Sequence, residues 1–81
     1  MNVEHTKQMR RALKKFPKEI QEVFYKQIKF LARDLRHPSL RAKKYDESTG
    51  VWQARVNKNV RFYFRIENDT YLLLNIRKHS D

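Results

Sequence analysis

Residues 51–76 read VWQARVNKNVRFYFRIENDTYLLLNI, and this stretch decides the fold. Its side chains alternate with a period of two, as on a pleated strand with one buried face. In the first run, Trp52, Ala54 and Val56 face one way, and Val51, Gln53 and Arg55 face the other. Asn57-Lys58-Asn59 makes a turn. In the second run, Val60, Phe62, Phe64 and Ile66 alternate with Arg61, Tyr63, Arg65 and Glu67. Asn68-Asp69 makes a tight turn into a third strand, Tyr71 to Ile76. Leu72, Leu74 and Ile76 are expected on its core face, with Tyr71, Leu73, Asn75 and Arg77 opposite. Three strands joined by short turns form an antiparallel meander.

Upstream the period changes to that of a helix. Thr6 is a candidate N-cap, and Met9, Leu13 and Phe16 recur at spacings of four and three. Pro17 ends this helix, because the residue before a proline disfavours the α region, and can open the next. Ile20, Val23, Phe24, Gln27, Ile28, Leu31 and Leu35 form one stripe with a single polar member. The proline joint suggests an antiparallel helical hairpin. His37-Pro38 breaks the second helix, and residues 39–49 read as a polar connection anchored by Leu40 and Tyr45. Residues 2–5 read either as a short edge strand or as a frayed start. The expectation is an α+β domain spanning residues 1–81, with an N-terminal helical hairpin packed on a three- to four-stranded antiparallel sheet.

Composition narrows the function. In 81 residues, 19 Lys and Arg oppose nine Asp and Glu, a net charge of +10. Hydrophobic residues make up 40% of the chain, too many for a disordered basic tail. The absence of Cys excludes disulfides, thiol catalysis and Cys-ligated zinc, and His5, His37 and His79 lack metal-ligand spacing. Neither metal nor cofactor is expected. One glycine, Gly50, excludes a glycine-rich phosphate loop. No apolar run reaches the length of a membrane span, and no signal peptide is visible. The reading is a cytoplasmic basic domain whose partner is an anion, with no membrane role.

With the strands in register, Gln53 and Arg55 come beside Arg61, Tyr63 and Arg65, and Arg77, Lys78 and His79 leave at one end. Cations interleaved with an aromatic on a sheet suit single-stranded RNA, since Arg pairs with phosphate and aromatic planes stack on bases. They also suit RNA cleavage by its own 2′-OH. That reaction needs a base, an acid and cations to stabilise the charged phosphorane; guanidinium groups supply the cations, and a histidine can move a proton. Lys43 and Lys44 add charge in the preceding loop. A solvated sheet face in so basic a chain also carries such residues without any function, with Arg65 simply paired to Glu67.

The order KKFPKEIQEVFYKQIKFLARD, HPSL, VWQARVNKNVRFYFRIENDTYLLLNI, RKHSD resembles the RelE/ParE superfamily of type II toxins across nearly the whole chain. The resemblance implies a short strand, two helices and an antiparallel sheet packed on them, so residues 2–5 become an expected strand. For the RelE branch it implies metal-independent cleavage of mRNA on the ribosome, and a cognate antitoxin partner that is acidic in part of its chain. By position, Arg61 matches the arginine that binds the scissile phosphate, Arg55 a variable charged position, Gln53 a position where some members carry a second Lys, and His79 a terminal Arg or His. Arg55, Arg61 and His79 are therefore the expected catalytic group. Gln53, Tyr63, Arg65, Arg77, Lys78, Lys43 and Lys44 are the expected RNA contacts. Many members carry a Tyr soon after the terminal His; none follows His79 here, and Tyr63 is the nearest stand-in. That departure keeps two alternatives open: a ParE-like toxin that inhibits DNA gyrase by binding it, and an inactive relative that binds an antitoxin.

Overall fold

A computed structural model describes residues 1–79. Ser80 and Asp81, the end of the RKHSD segment, lie outside the described residues. The elements run β1 (Asn2–His5), α1 (Lys7–Lys14), α2 (Lys18–Arg33), β2 (Lys43–Asp46), β3 (Val51–Arg55), β4 (Val60–Glu67) and β5 (Thr70–Lys78). One five-stranded sheet has the order β1-β5-β4-β3-β2. Among the described residues no helix is long and apolar enough to cross a membrane.

Thr6 caps α1: its hydroxyl accepts from the Met9 amide at 3.1 Å and donates to the Leu73 carbonyl at 2.8 Å. One side chain thus ends β1, starts α1 and ties both to β5. Pro17 stands just before α2, where its missing N–H costs nothing. Met9 and Leu13 from α1, Phe24 and Leu31 from α2, and Phe62, Phe64 and Leu73 from the sheet bury their side chains in one core. Phe24 meets Phe62 edge-on at 5.5 Å between centroids. Val23, expected in the stripe, is 37% exposed and sits at its margin.

The sheet departs from the expectation in three places. It has five strands rather than three or four, and it is mixed, because β1 pairs parallel with β5. Residues 43–46, read as part of a polar connection, form the edge strand β2. They pair with β3 through a register shift between Lys44 and Asp46. Exposed edge strands carry lysines, which hides them from a hydrophobic pattern. Leu40 is the buried anchor, but Tyr45 is exposed. The third departure lies in β5. Tyr63 faces Asn75 while Phe64 faces Leu73, so Leu74 is an extra residue and its strand is bulged. The bulge flips the alternation. Tyr71 and Leu73 turn into the core, Ile76 stays there, and Leu72 and Leu74 are only partly buried.

Candidate active site

The register places three arginines in one row across the sheet. Arg55 on β3 pairs with Arg61 on β4, and Arg61 pairs with Arg77 on β5. Directly opposed like charges weaken a sheet, so each arginine of the row needs contacts that offset its charge. The middle one is the most constrained. Arg61 is 6% exposed, against the expectation of a solvated side chain. Its Nη1 donates to the carbonyls of Asn57 at 2.9 Å, Lys58 at 3.1 Å and Val60 at 3.3 Å. These carbonyls belong to the β3–β4 turn, which closes where Val56 and Asn57 donate to the Val60 carbonyl. All three bonds use one terminal nitrogen, leaving the rest of the planar fork for a ligand. Oxygen dipoles on one side of a buried cation offset its charge and hold it still, as a phosphate site requires.

A cleft of about 420 Å³ opens on this row, lined by Arg41, Lys43, Gln53, Arg55, Arg61 and His79. The expected catalytic group, Arg55, Arg61 and His79, is thus gathered in one place. His79 arrives because its amide donates to the Asn59 carbonyl at 2.7 Å, drawing the end of β5 against the β3–β4 turn. Arg55 is set by its amide, which donates to the Leu40 carbonyl at 2.7 Å, and by its carbonyl, which accepts from Gln27 Nε2 at 2.9 Å. The same Gln27 amide nitrogen donates to the Ser39 carbonyl, while its Oε1 accepts from the Ser39 hydroxyl. The one polar member of the α2 stripe is therefore a buried bracket between the helix, the 39–41 loop and β3. Among the described residues no group of three His, Asp or Glu side chains gathers as a metal site needs.

The remaining expected contacts divide. Lys43 and Gln53 are a cross-strand pair inside the cleft, with Gln53 largely buried. Tyr63 is also buried, at 8% exposure, under two neighbours. Tyr45 meets it edge-on at 5.0 Å, and the Arg77 guanidinium lies 4.5 Å from its ring centroid. Hydrogen bonding to Tyr45, and then to Tyr63, holds Arg77 above the ordinary arginine pKa. Tyr63 and Tyr45 therefore hold the Arg77 guanidinium, and neither Tyr63 nor Arg77, both expected RNA contacts, lines the cleft. Lys44 faces the other side of the sheet, with its Nζ 5.2 Å from the Trp52 ring centroid. Lys78 pairs with Val60 and lines an adjoining hollow with Phe16, Pro17 and Ile20, which shares His79 with the cleft. Arg65 lies at the far end of β4, bridged to Glu67 at 3.2 Å. Sequence reasoning missed Arg41, which lines the cleft from a left-handed backbone (φ 46°). The only sequence signal was another cation in the 39–44 loop.

This frame matches solved structures over nearly its full length. A YoeB/ParE toxin from Agrobacterium tumefaciens superposes with a TM-score of 0.81 at 15% identity, covering 99% of this chain and 100% of that one. The fold is that of the RelE/ParE toxins. The RelBE2 toxin–antitoxin complex from Mycobacterium tuberculosis gives 0.78 at 24% identity, covering 99% and 92%. The archaeal RelE–RelB complex from Pyrococcus horikoshii gives 0.79 at 17%, covering 95% and 92%. No protein-family model and no curated protein matches the sequence. Within the RelE-like frame the arginine row occupies one end of the meander, beside the β3–β4 turn.

Proposed function

We infer that the chain is the toxin of a type II toxin–antitoxin module, acting in the cytoplasm as an endoribonuclease on mRNA bound to the ribosome. The observation that carries this reading is the cleft that gathers Arg41, Lys43, Arg55 and Arg61 beside His79. In the proposed reaction the RNA 2′-oxygen attacks the adjacent phosphorus, forming a P–O2′ bond as the P–O5′ bond breaks. Arg61 grips a non-bridging phosphate oxygen, and Arg55 and Lys43 spread the developing charge. His79 takes the proton from the 2′-hydroxyl as base, and a solvent water protonates the departing 5′-oxygen. The products are a 2′,3′-cyclic phosphate and a 5′-hydroxyl. The cleft supplies the cations and one proton-exchanging group, and solvent supplies the second proton. A cognate antitoxin partner is part of the proposal, because two of the structural neighbours are toxin–antitoxin complexes.

The test is end-group analysis of a reporter mRNA incubated with the purified protein and translating ribosomes. The reading expects cyclic-phosphate 3′ ends at new cuts. Cuts bearing 3′-hydroxyl ends, or intact mRNA in an arrested reaction, would contradict it; DNA breaks in producing cells would move the target to gyrase.

A further inference from the structure

Beside the candidate cleft lies a second hollow of about 430 Å³, and Arg41 lines both. Its other walls are Leu35, Arg36, His37, Pro38, Ala42 and Trp52. The His37 ring is fixed to an unusual degree for a loop residue. It stacks on Phe30 with centroids 3.9 Å apart and planes within 7°. Its Nδ1 accepts from the Ser39 amide at 3.2 Å, which places the ring proton on Nε2 when the ring is neutral, and lies 2.9 Å from the Ser39 hydroxyl. One face is committed to Phe30, and the ring borders the hollow beside Trp52. Arg36 and Arg41 supply charge at the rim, and Lys44 adds a cation over Trp52.

A fixed aromatic plane, an indole wall and flanking guanidinium groups, joined to a phosphate site around the sheet edge by the shared Arg41, are the parts that hold a splayed nucleotide. We propose that this hollow receives the nucleotide adjoining the cleaved phosphate, its base stacked on His37 beside Trp52 and its phosphate held by Arg41. This rests on the RNA-cleaving reading above and assigns it a base-binding subsite. Arg41, which lines both hollows, would then be the hinge of the path, touching RNA on both sides.

Trp52 is the sole tryptophan, so the subsite reports on itself. The experiment titrates the protein with a short single-stranded RNA labelled for anisotropy, and follows Trp52 emission in parallel. The same is done with an abasic strand of equal length. Intact RNA is expected to change Trp52 emission along the anisotropy curve, and the abasic strand is not. His37→Ala should weaken RNA binding roughly tenfold, a typical loss for one stacked base. His37→Phe, which keeps the plane, should retain most of the affinity. RNA binding with silent Trp52 emission, or equal affinity in His37→Ala, would overturn the subsite and leave the RNA reading standing. An equal emission change from the abasic strand would reduce the hollow to an anion contact and overturn it too. No binding of RNA by anisotropy would overturn the subsite, while the cleavage assay with translating ribosomes decides the RNA-cleaving reading separately. Melting curves of the two variants separate loss of the ring from loss of the fold: if His37→Ala melts as the parent does and still binds as tightly, the proposal fails.

Discussion

Truncating Arg61 removes the central cation of the row and three hydrogen bonds to the β3–β4 turn. Both consequences are expected of Arg61→Ala. Cleavage should vanish, and stability should fall by about 1 kcal/mol, because the part-buried carbonyls of Asn57 and Lys58 lose their donor. Chemical denaturation beside a cleavage assay checks this, and an unchanged midpoint would show that the side chain is solvated after all. His5 offers a second test at this scale. Burial against Phe24 and Tyr25, and then the nearby charge of Arg10, lower its pKa below 6.5. The unfolded chain therefore binds the proton first as pH falls. Stability contributed by neutral His5 is complete above about pH 6.5 and is lost as pH drops toward the folded value. The melting temperature should decline over that window, and His5→Gln should flatten the decline. A variant with the same pH profile as the parent would contradict the account of His5.

At the scale of elements, β4 is legible only as far as Phe64, since Ile66, grouped with the core face, is exposed beside the turn, and β5 only half so. Strict alternation from Val60 to Phe64 carries the core, and Phe64 is fully buried between Trp52, Phe62 and Tyr71. Phe64→Ala should cost about 3–5 kcal/mol, read from the shift of the unfolding curve. A loss near zero would mean that the strand faces the other way, since a one-residue slip exchanges its two faces. In β5 the run Tyr71-Leu72-Leu73-Leu74 is apolar at every position, so composition cannot set the phase. Ile76 was assigned to the core correctly, but counting back from it by twos crosses the bulge at Leu74 and misplaces Tyr71 and Leu73. A bulge has no signature in an all-apolar run. The edge strand β2 was hidden for a different reason: its partner-facing groups are backbone, and its side chains are those of a loop. The site was legible where it depended on β3 and β4 parity, as for Arg55 and Arg61. It was illegible where it depended on loop geometry, as for Arg41, or on packing over the open face, as for Tyr63.

Across the whole molecule, 19 basic side chains against nine acidic ones make a field that draws polyanions to any face. That field alone specifies nothing; what distinguishes one end of the sheet is that the fold confines three arginines and His79 there. RNA affinity should fall with added salt, because neutralised phosphates release counterions. The cleft confines its effect: removing Lys78, whose side chain lines the adjoining hollow and not the cleft, should reduce the slope of that dependence by at most about one unit and leave cutting intact. A Lys78→Ala protein that binds RNA but cannot cut it would place the chemistry elsewhere. The central claim is that this end of the sheet cleaves mRNA. Induction in a bacterial host, with primer extension on a translated reporter, tests it most directly. The account predicts growth arrest with new 5′ ends inside translated codons, both absent when a folded Arg61→Ala protein is made at the same level. Arrest with uncut message, or cuts that persist without Arg61, would contradict it.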